Sequence, residues 1–273
     1  MERGIGRAVA ACLLCLLALG VIAAYAALDK AVWPEATGEK VQQKGSLTID
    51  VSSMENGYIL AKSDLSKAKL KLRIAKGDMH YDYDLTGDDQ YVVFPLQMGS
   101  GKYTVTLFKN VKGKKYAKDG EVKLTADIGD ENAPFLAPSQ YVDYTPETAA
   151  VLKSDELCSG LNTDREKVEA IRLYMKENFL YDYIRAVSAP KSYLGDIEGC
   201  FETKQGLCQD FAAVAACMLR VQGIPTQLVI GYAGATYHAW NLVMVDGQYE
   251  MLDITAEVSG GSGGVEYTAE RFY

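Results

Sequence analysis

A cysteine, a histidine and an aspartate follow one another within residues 205–255, and their types and order suit nucleophilic catalysis. Cys208 starts a predicted helix, His238 starts a predicted strand, and Asp253 lies on the strand after that. His238 is one of only two histidines among the 273 residues, so its place in this stretch is informative. A thiol, an imidazole that takes its proton and a carboxylate that orients the imidazole form a catalyst of acyl transfer.

The helix that Cys208 begins is predicted from apolar residues at helical spacing, which recur until a Gly-Ile-Pro sequence at residues 223–225. At a helix N-terminus the free backbone N–H groups and the helix dipole favour negative charge, so a thiolate is stabilised there. The same N–H groups are placed to bind the oxyanion of a tetrahedral intermediate. Gln205, a little earlier in the chain, is a further candidate for an oxyanion donor.

Asp246-Gly247 predicts a tight hairpin between the strand that carries His238 and a following strand that carries Asp253. The two-residue turn sets a register in which Trp240 is opposite Asp253. His238 and Asp253 then share a face as diagonal neighbours, roughly 7–8 Å apart between Cα atoms. Trp240 is predicted to form a wall of the site. A register shift of one residue would place the imidazole and the carboxylate on opposite faces.

Short fragments between residues 164 and 255 follow one another in an order that is typical of one family. They are Glu166-Lys167-Val168, Tyr181-Asp182-Tyr183, Gly206-Leu207-Cys208, Asp210-Phe211-Ala212, Gly223-Ile224-Pro225, Gly231-Tyr232, His238-Ala239-Trp240-Asn241 and Leu252-Asp253-Ile254-Thr255. In this order they resemble the transglutaminase-like core, a branch of the papain-like thiol enzymes. The resemblance implies a helix packed on an antiparallel sheet, a triad of Cys208, His238 and Asp253, and no organic cofactor.

Before this region, residues 31–138 show the alternation of apolar and polar residues that is typical of half-buried strands. Around seven such strands, separated by Gly, Asp and Asn turns, predict an antiparallel β-sandwich. The segment 101–106 resembles the penultimate strand of bacterial immunoglobulin-like or fibronectin-like modules. The predicted fold is therefore α+β, with a β-sandwich followed by a transglutaminase-like domain at residues 139–273.

The N-terminus is typical of a targeting segment. Arg3 and Arg7 precede residues 8–28, which carry no charge and are numerous enough to span a bilayer. Ala24-Tyr25-Ala26 also fits a signal-peptide cleavage site. Residues 1–30 are therefore predicted to be either a signal peptide or a membrane anchor, and the rest of the chain is expected to work outside the cytoplasm.

The formal net charge of −8 argues against nucleic acid as a partner, because phosphate binding needs a basic surface. A run of lysines between residues 109 and 118 interrupts this acidic character. It surrounds Gly113 and is followed by acidic residues, so we interpret it as the solvated tip of a hairpin.

Four cysteines lie beyond the predicted leader, at positions 158, 200, 208 and 217. If Cys208 is a free nucleophile, at most one disulfide forms, and Cys158 with Cys200 is the first pair to test. Cys217 is interpreted as a thiol buried within a helix. Because no Cys-x-x-Cys motif is present, a bound metal is not expected.

The sequence thus predicts an extracytoplasmic thiol enzyme that transfers acyl groups from protein or peptide amides. Hydrolysis is slightly favoured over transamidation, because nothing in the sequence marks a dedicated site for an amine. Two alternatives remain. One is a non-catalytic binding module that has lost activity, and the other is a structural protein of the cell envelope in which the β-sandwich is the working part.

Overall fold

The computed structural model of the chain describes residues 28–261 and 264–273. Most of the predicted leader, residues 1–27, therefore lies outside the described residues, and its assignment stays a prediction. Within the described ranges, no helix is both long enough and apolar enough to cross a membrane.

The N-terminal part of the described chain is built from strands. They are β1 (Val41–Lys44), β2 (Leu47–Asp50), β3 (Tyr58–Lys62), β4 (Leu70–Lys76), β5 (Met79–Leu85), β6 (Val92–Pro95), β7 (Gly101–Lys112) and β8 (Lys115–Ala126). They form two antiparallel sheets of four strands each, in the orders β1-β2-β3-β6 and β5-β4-β7-β8. Short 3-10 turns at Met54–Asn56 and Ala133–Phe135 complete this part.

Alternating side chains hold the two sheets together. In β4, Leu70, Leu72 and Ile74 are buried, whereas the intervening Lys71 and Arg73 remain partly exposed. Apolar residues from both sheets belong to one core cluster, so burial of these inward faces is the main force that pairs the sheets. The alternation thus correctly predicted a two-sheet β-structure, and its kinship with immunoglobulin or fibronectin modules stays a prediction.

The lysine-rich segment is the tip of the β7–β8 hairpin, as predicted. Gly113 turns the chain with a φ of +58°, in the left-handed region that glycine tolerates. The surrounding lysines, at positions 109, 112, 114, 115 and 118, are all exposed to solvent.

The C-terminal part combines helices with a four-stranded antiparallel sheet and a short two-stranded parallel sheet. The helices are α1 (Ala149–Cys158), α2 (Asp164–Asn178), α3 (Tyr183–Ala186), α4 (Ile197–Thr203), α5 (Cys208–Arg220) and α6 (Ile254–Ser259). The strands are β9 (Leu180–Tyr181), β10 (Gln205–Gly206), β11 (Thr226–Ala233), β12 (Thr236–Val245), β13 (Gln248–Leu252) and β14 (Tyr267–Phe272). The four long strands pair in the order β13-β12-β11-β14, and β9 pairs with β10.

Helix α5 is the centre of this part. Every residue after Cys208 in the helix is buried, and the helix packs on β11 and β12 while α1, α2, α4 and α6 surround it. A helix that is buried on all sides is stable only inside a core, and its central residues 211–219 are all apolar. The expected helix packed on an antiparallel sheet, and with it the α+β class, is confirmed.

The hairpin between β12 and β13 has the predicted register. Val245 pairs with Gln248 across Asp246-Gly247, and Asn241 pairs with Leu252. The second strand is shorter than expected, however, because the chain leaves the ladder after Leu252. Asp253 is the N-cap of α6, and its side chain accepts a hydrogen bond from the backbone of Ala256. The prediction that Asp253 lies on this strand is therefore wrong, since the capping interaction stabilises a helix there.

The C-terminal part of the chain contacts the N-terminal part through β13, β14 and Tyr273. Arg271 donates a hydrogen bond of 3.0 Å to the carbonyl oxygen of His80, and the Tyr81 ring packs edge-on against Tyr273. Tyr249 donates to the side chain of Asn132 at 2.9 Å. The predicted division into domains at residues 31–138 and 139–273 stays a prediction.

Gly231 lies in β11 where β14 passes unusually close. A Cβ atom on this glycine would lie 2.0 Å from the carbonyl oxygen of Thr268 and 3.0 Å from the Cα atom of Ala269. We therefore expect Gly231→Ala to displace β14 and to lower the free energy of unfolding by about 1–3 kcal/mol, as measured by urea denaturation. Gly129→Ala is the control, because a Cβ there would have no atom nearer than 4.0 Å. Equal losses in the two variants would contradict this account.

Candidate active site

Cys208 is the first residue of α5, as its sequence context predicts. Leu207 immediately before it is the N-cap, and the side chain of Cys208 is partly exposed at the end of the helix. The N–H groups of the first helical turn have no intrahelical carbonyl partner, so they face the region around the sulfur. The residue before Leu207 has to be a glycine for the chain to pack so closely here, because a Cβ atom on Gly206 would lie 2.7 Å from the sulfur of Cys200.

The other three cysteines of the described chain are buried thiols. All four are free, so Cys158 and Cys200, the first pair to test, do not form a disulfide in the structure. Cys158, Cys200 and Cys217 are buried in the core, where cysteine packs as a small apolar residue. Burial raises the pKa of all three, to about 11 for Cys158, which keeps them protonated and unreactive at neutral pH. Among the described thiols, Cys208 alone is accessible.

His238 lies on β12, opposite Gly231, with only 12% of its side chain exposed. Its Nε2 atom lies 2.7 Å from Oδ2 of Asp253. Burial by itself lowers the pKa of His238, but the hydrogen bonds to Asp253 and Cys208 outweigh burial and raise this pKa to about 9. Because Nε2 contacts the carboxylate, Nδ1 is the ring atom left for the sulfur. The imidazole thus links the thiol to the carboxylate.

Asp253 is both a capping residue and the partner of His238. Oδ1 accepts the hydrogen bond from the backbone of Ala256, and Oδ2 accepts a hydrogen bond of 2.7 Å from the hydroxyl of Tyr267 in addition to the contact with His238. Burial raises the pKa of Asp253, but these partners more than compensate and hold it below its usual value. The carboxylate is therefore ionised and fixed in position.

The aromatic rings of Trp240 and Tyr267 pack against the imidazole of His238. The Trp240 ring stacks on that of His238 with centroids 6.1 Å apart and an interplanar angle of 20°. Tyr267 packs edge-on against Trp240 at 5.1 Å. Trp240 is 97% buried, lies beside the imidazole and lines neither of the two cavities that His238 borders; its role as a wall of the site stays a prediction.

Cys208 and His238 open into a cavity of about 270 Å³. One side is formed by the start of α5 and by β12, and the other by the segment between α3 and α4. A second cavity of about 380 Å³ lies on the side of His238 that faces Asp253 and Tyr267. His238 therefore lines both cavities, whereas Cys208 lines only the first and Asp253 only the second.

The segment between α3 and α4 is held in place by Asp210, a buried carboxylate in the first turn of α5. Asp210 accepts hydrogen bonds from the hydroxyl of Tyr193 at 2.5 Å and from the backbone of Asp196 at 2.8 Å. It also pairs with the guanidinium of Arg185, and it accepts from the backbone of Leu207 at 2.7 Å. One side chain thus joins the helix that carries Cys208 to the opposite wall of the cavity.

Gln205 lies apart from the other predicted site residues. It is exposed on β10, next to Leu180 of β9, and it does not line either cavity beside His238. Its role as an oxyanion donor stays a prediction. Sequence reasoning missed Tyr267, which follows a glycine-rich loop without any recognisable motif. It also assigned no role to Asp210, although the position of this residue two places after Cys208 was a usable signal.

The described residues contain no group of three or more His, Cys, Asp or Glu side chains arranged to hold a metal ion. The site itself brings together a thiol at the start of α5 and an imidazole that is hydrogen-bonded to an ionised carboxylate. Such a chain of groups can form a thiolate, attack a carbonyl carbon and protonate a leaving group.

Comparison with protein families agrees with this geometry. Residues 153–254 match the model of the transglutaminase-like superfamily, so this part of the chain is a transglutaminase-like core. Human kyphoscoliosis peptidase is 27% identical over 145 residues, which are 47% of this chain and 21% of that protein. The uncharacterized protein YebA of Bacillus subtilis (strain 168) is 30% identical over 139 residues, which are 50% of this chain and 18% of that protein.

The chain spans about a fifth of the length of these curated relatives. Among solved structures, a candidate cysteine protease from Cytophaga hutchinsonii aligns with a TM-score of 0.42 at 14% identity, covering 84% of this chain and 82% of the other. Red sea bream transglutaminase aligns with a TM-score of 0.32 at 15% identity, covering 77% of this chain and 49% of the other.

Proposed function

We propose that the protein is a thiol enzyme that transfers acyl groups from protein or peptide amides, with Cys208 as nucleophile, His238 as acid and base, and Asp253 as the group that orients His238. The observation that carries this proposal is that His238, whose imidazole lies 2.7 Å from the Asp253 carboxylate, lines the same cavity as Cys208. The transglutaminase-like core at residues 153–254 supports the same chemistry.

The reaction runs in two steps. His238 holds the thiol proton as an imidazolium, and the sulfur of Cys208 attacks the amide carbonyl as a thiolate to form a tetrahedral intermediate. Backbone N–H groups at the start of α5 stabilise its oxyanion. The C–N bond then breaks, His238 gives its proton to the leaving amine, and a thioester remains. In the second step His238 removes a proton from water or from an amine, which attacks the thioester and releases Cys208.

Hydrolysis is our preferred outcome of the second step. The thioester would form on Cys208, which lines an open cavity that water can enter. No second site with obvious complementarity to an amine is present among the residues that line the first cavity. The kyphoscoliosis relatives are named peptidases, which supports a protein or peptide substrate.

We also propose that the enzyme works outside the cytoplasm. The support is the sequence of residues 1–30, in which two arginines precede a long uncharged segment. Secretion and membrane anchoring are both consistent with it. Mass spectrometry of the mature protein distinguishes these outcomes, because cleavage near Ala26 would remove the uncharged segment.

The function is tested by incubating the protein with a casein-type substrate and a fluorescent amine, with Cys208→Ala as the blank. New peptide termini that depend on Cys208 would establish hydrolysis, and incorporated amine would establish transamidation. In parallel, iodoacetamide should alkylate Cys208 faster at pH 7 than a free model thiol does. A wild-type protein whose Cys208 reacts no faster than the model thiol would overturn the proposal and favour a binding or structural role.

A further inference from the structure

Lys191 places an ammonium group at the cavity that Cys208 opens into. It lies in the segment between α3 and α4 and lines the same cavity as Cys208 and His238. Its Nζ atom is 3.3 Å from the hydroxyl of Tyr232, 5.5 Å from the centre of that ring and 5.0 Å from the centre of the Tyr237 ring. Two tyrosines on the opposite wall therefore hold the charge in position although the residue itself is exposed.

The Lys191 ammonium group has no acidic partner within residues 28–261 and 264–273. No carboxylate of the described residues forms an ion pair with Lys191, although the chain carries 36 acidic residues and a net charge of −8. By contrast, the guanidinium of Arg185 in the preceding helix α3 is paired with the buried Asp210. The hydroxyl of Tyr232 occupies only one of the three N–H donors of an ammonium group, so two donors are available to a ligand.

The other side chains that line the cavity carry no formal charge apart from the thiol and imidazole themselves. They include Tyr181, Ala186, Pro190, Tyr193 and Ile230. In such a neutral and largely apolar lining, one positioned ammonium group dominates the recognition of charged groups on a ligand. It favours anions and disfavours cations.

We propose that Lys191 determines the specificity of the site by binding a carboxylate of the acyl donor, so that the preferred substrate is an acidic peptide. This inference rests on the proposed function, because it assumes that the cavity receives the group that Cys208 attacks. The carboxylate belongs either to an acidic side chain near the scissile amide or to a peptide C-terminus. Lys191 acts in binding and does not take part in bond making or breaking.

The first test needs no knowledge of the natural substrate. Cys208 is alkylated with iodoacetate, which is an anion, and with iodoacetamide, which is its neutral analogue, and the two rates are measured by mass spectrometry of the peptide that contains Cys208. The ratio of the two rates reports the local charge. The variants are Lys191→Gln and Lys191→Glu.

Lys204→Gln is the matched control. Lys204 also lies over aromatic rings and donates to a tyrosine hydroxyl, that of Tyr174 at 2.9 Å, but it does not line the cavity. We expect the ratio of iodoacetate to iodoacetamide rates to fall roughly three- to tenfold in Lys191→Gln and further in Lys191→Glu. The Lys204→Gln variant should keep the wild-type ratio.

A ratio that Lys191→Gln leaves unchanged, while Cys208 still reacts rapidly with iodoacetamide, would overturn this inference and leave the proposed function intact. Slow alkylation of wild-type Cys208 by both reagents would instead be the failure of the proposed function. The charge of the His238 imidazolium acts equally in all variants, so it cancels in the comparison.

A second test identifies the source of the carboxylate. Three tripeptides with blocked N-termini are compared for their ability to slow alkylation of Cys208 by iodoacetamide. The first has a central glutamate and a blocked C-terminus, and the second has a central glutamine and a blocked C-terminus. The third is the glutamine peptide with a free C-terminal carboxylate. Stronger protection by the first indicates an acidic side chain, and by the third a C-terminus. Equal protection by the neutral peptide, or none by either acidic peptide, would contradict the proposal.

Discussion

Replacing His238 with asparagine is expected to reduce turnover of an amide substrate by about 10²–10⁴-fold at pH 7. Asparagine has no group that accepts the thiol proton or returns it to the leaving amine. It retains a planar amide of comparable polarity, so the strand and its contact with Asp253 are disturbed little. The loss should lie in kcat/KM for the substrate and in the rate at which iodoacetamide alkylates Cys208.

The pH dependence makes this prediction specific. In the wild type the pKa of His238 is raised to about 9, so the proton needed by the leaving amine is present at neutral pH and is lost as the pH rises through about 9. Turnover should therefore fall on the alkaline side of this value. In His238→Asn, alkylation of Cys208 should recover above pH 9, because hydroxide then replaces the missing base. A variant that remains unreactive at high pH would indicate misfolding instead.

Asp253→Asn and Tyr267→Phe are expected to shift the pH profile of the same site by a larger and a smaller amount. Asparagine at position 253 can still cap α6 but cannot hold a positive imidazole, so the alkaline limb of the pH profile should move to lower pH. Phenylalanine at position 267 removes a single hydrogen bond to Asp253, and a smaller shift in the same direction is expected. An unchanged profile in Asp253→Asn would show that the carboxylate has no part in the chemistry.

Replacing Arg220 with methionine is expected to lower the free energy of unfolding by about 3–5 kcal/mol. Arg220 ends α5 and is fully buried. Its guanidinium donates to the backbone oxygens of Thr226, Ala137 and Tyr273 at 2.7–2.9 Å. Burial lowers its pKa to about 10, so it stays charged at neutral pH. Without it, three buried backbone oxygen atoms each lose a charged donor, and the loss of such a hydrogen bond in the core lowers stability.

Urea denaturation of Arg220→Met measures the effect, and Arg165→Met is the matched control. Arg165 pairs with Asp246 and Glu250 through four hydrogen bonds, but it lies on the surface, where water replaces lost partners. We expect only a small change in its midpoint. If Arg220→Met does not fold, Arg220→Lys keeps the charge and part of the bonding, and it should have intermediate stability. Equal stability of the two methionine variants would contradict the assigned role of Arg220.

Local patterns in the sequence were sufficient for the secondary structure near the site. The turn at Asp246-Gly247 set the register of β12 with β13, and the apolar spacing after Cys208 predicted α5. Both signals depend on neighbours within a few residues, so the chain itself carries them. At Asp253 the local pattern was ambiguous, because a short helix and the end of a strand have similar apolar spacing over so few residues.

Contacts between distant segments had no comparable signal. The count of cysteines beyond the predicted leader left Cys158 and Cys200 as the first disulfide pair to test. In the structure, packing buries each of them as a separate thiol. Tyr267 reaches Asp253 only because β14 pairs with β11. Lys191 reaches Tyr237 only because Asp210 anchors the segment between α3 and α4, which carries Lys191. These positions follow from how whole elements pack, which is not encoded in the spacing of a few residues.

By itself the sequence determined the types and order of the reactive groups, the helix that presents the sulfur and the hairpin that aligns the imidazole with the carboxylate. Only the tertiary structure decided how the carboxylate is shared between His238, Tyr267 and the start of α6, and which uncompensated charge borders the cavity. The physical reason is range: turns and helical periods are local, whereas a buried hydrogen-bond network and a cavity wall exist only after the core has assembled.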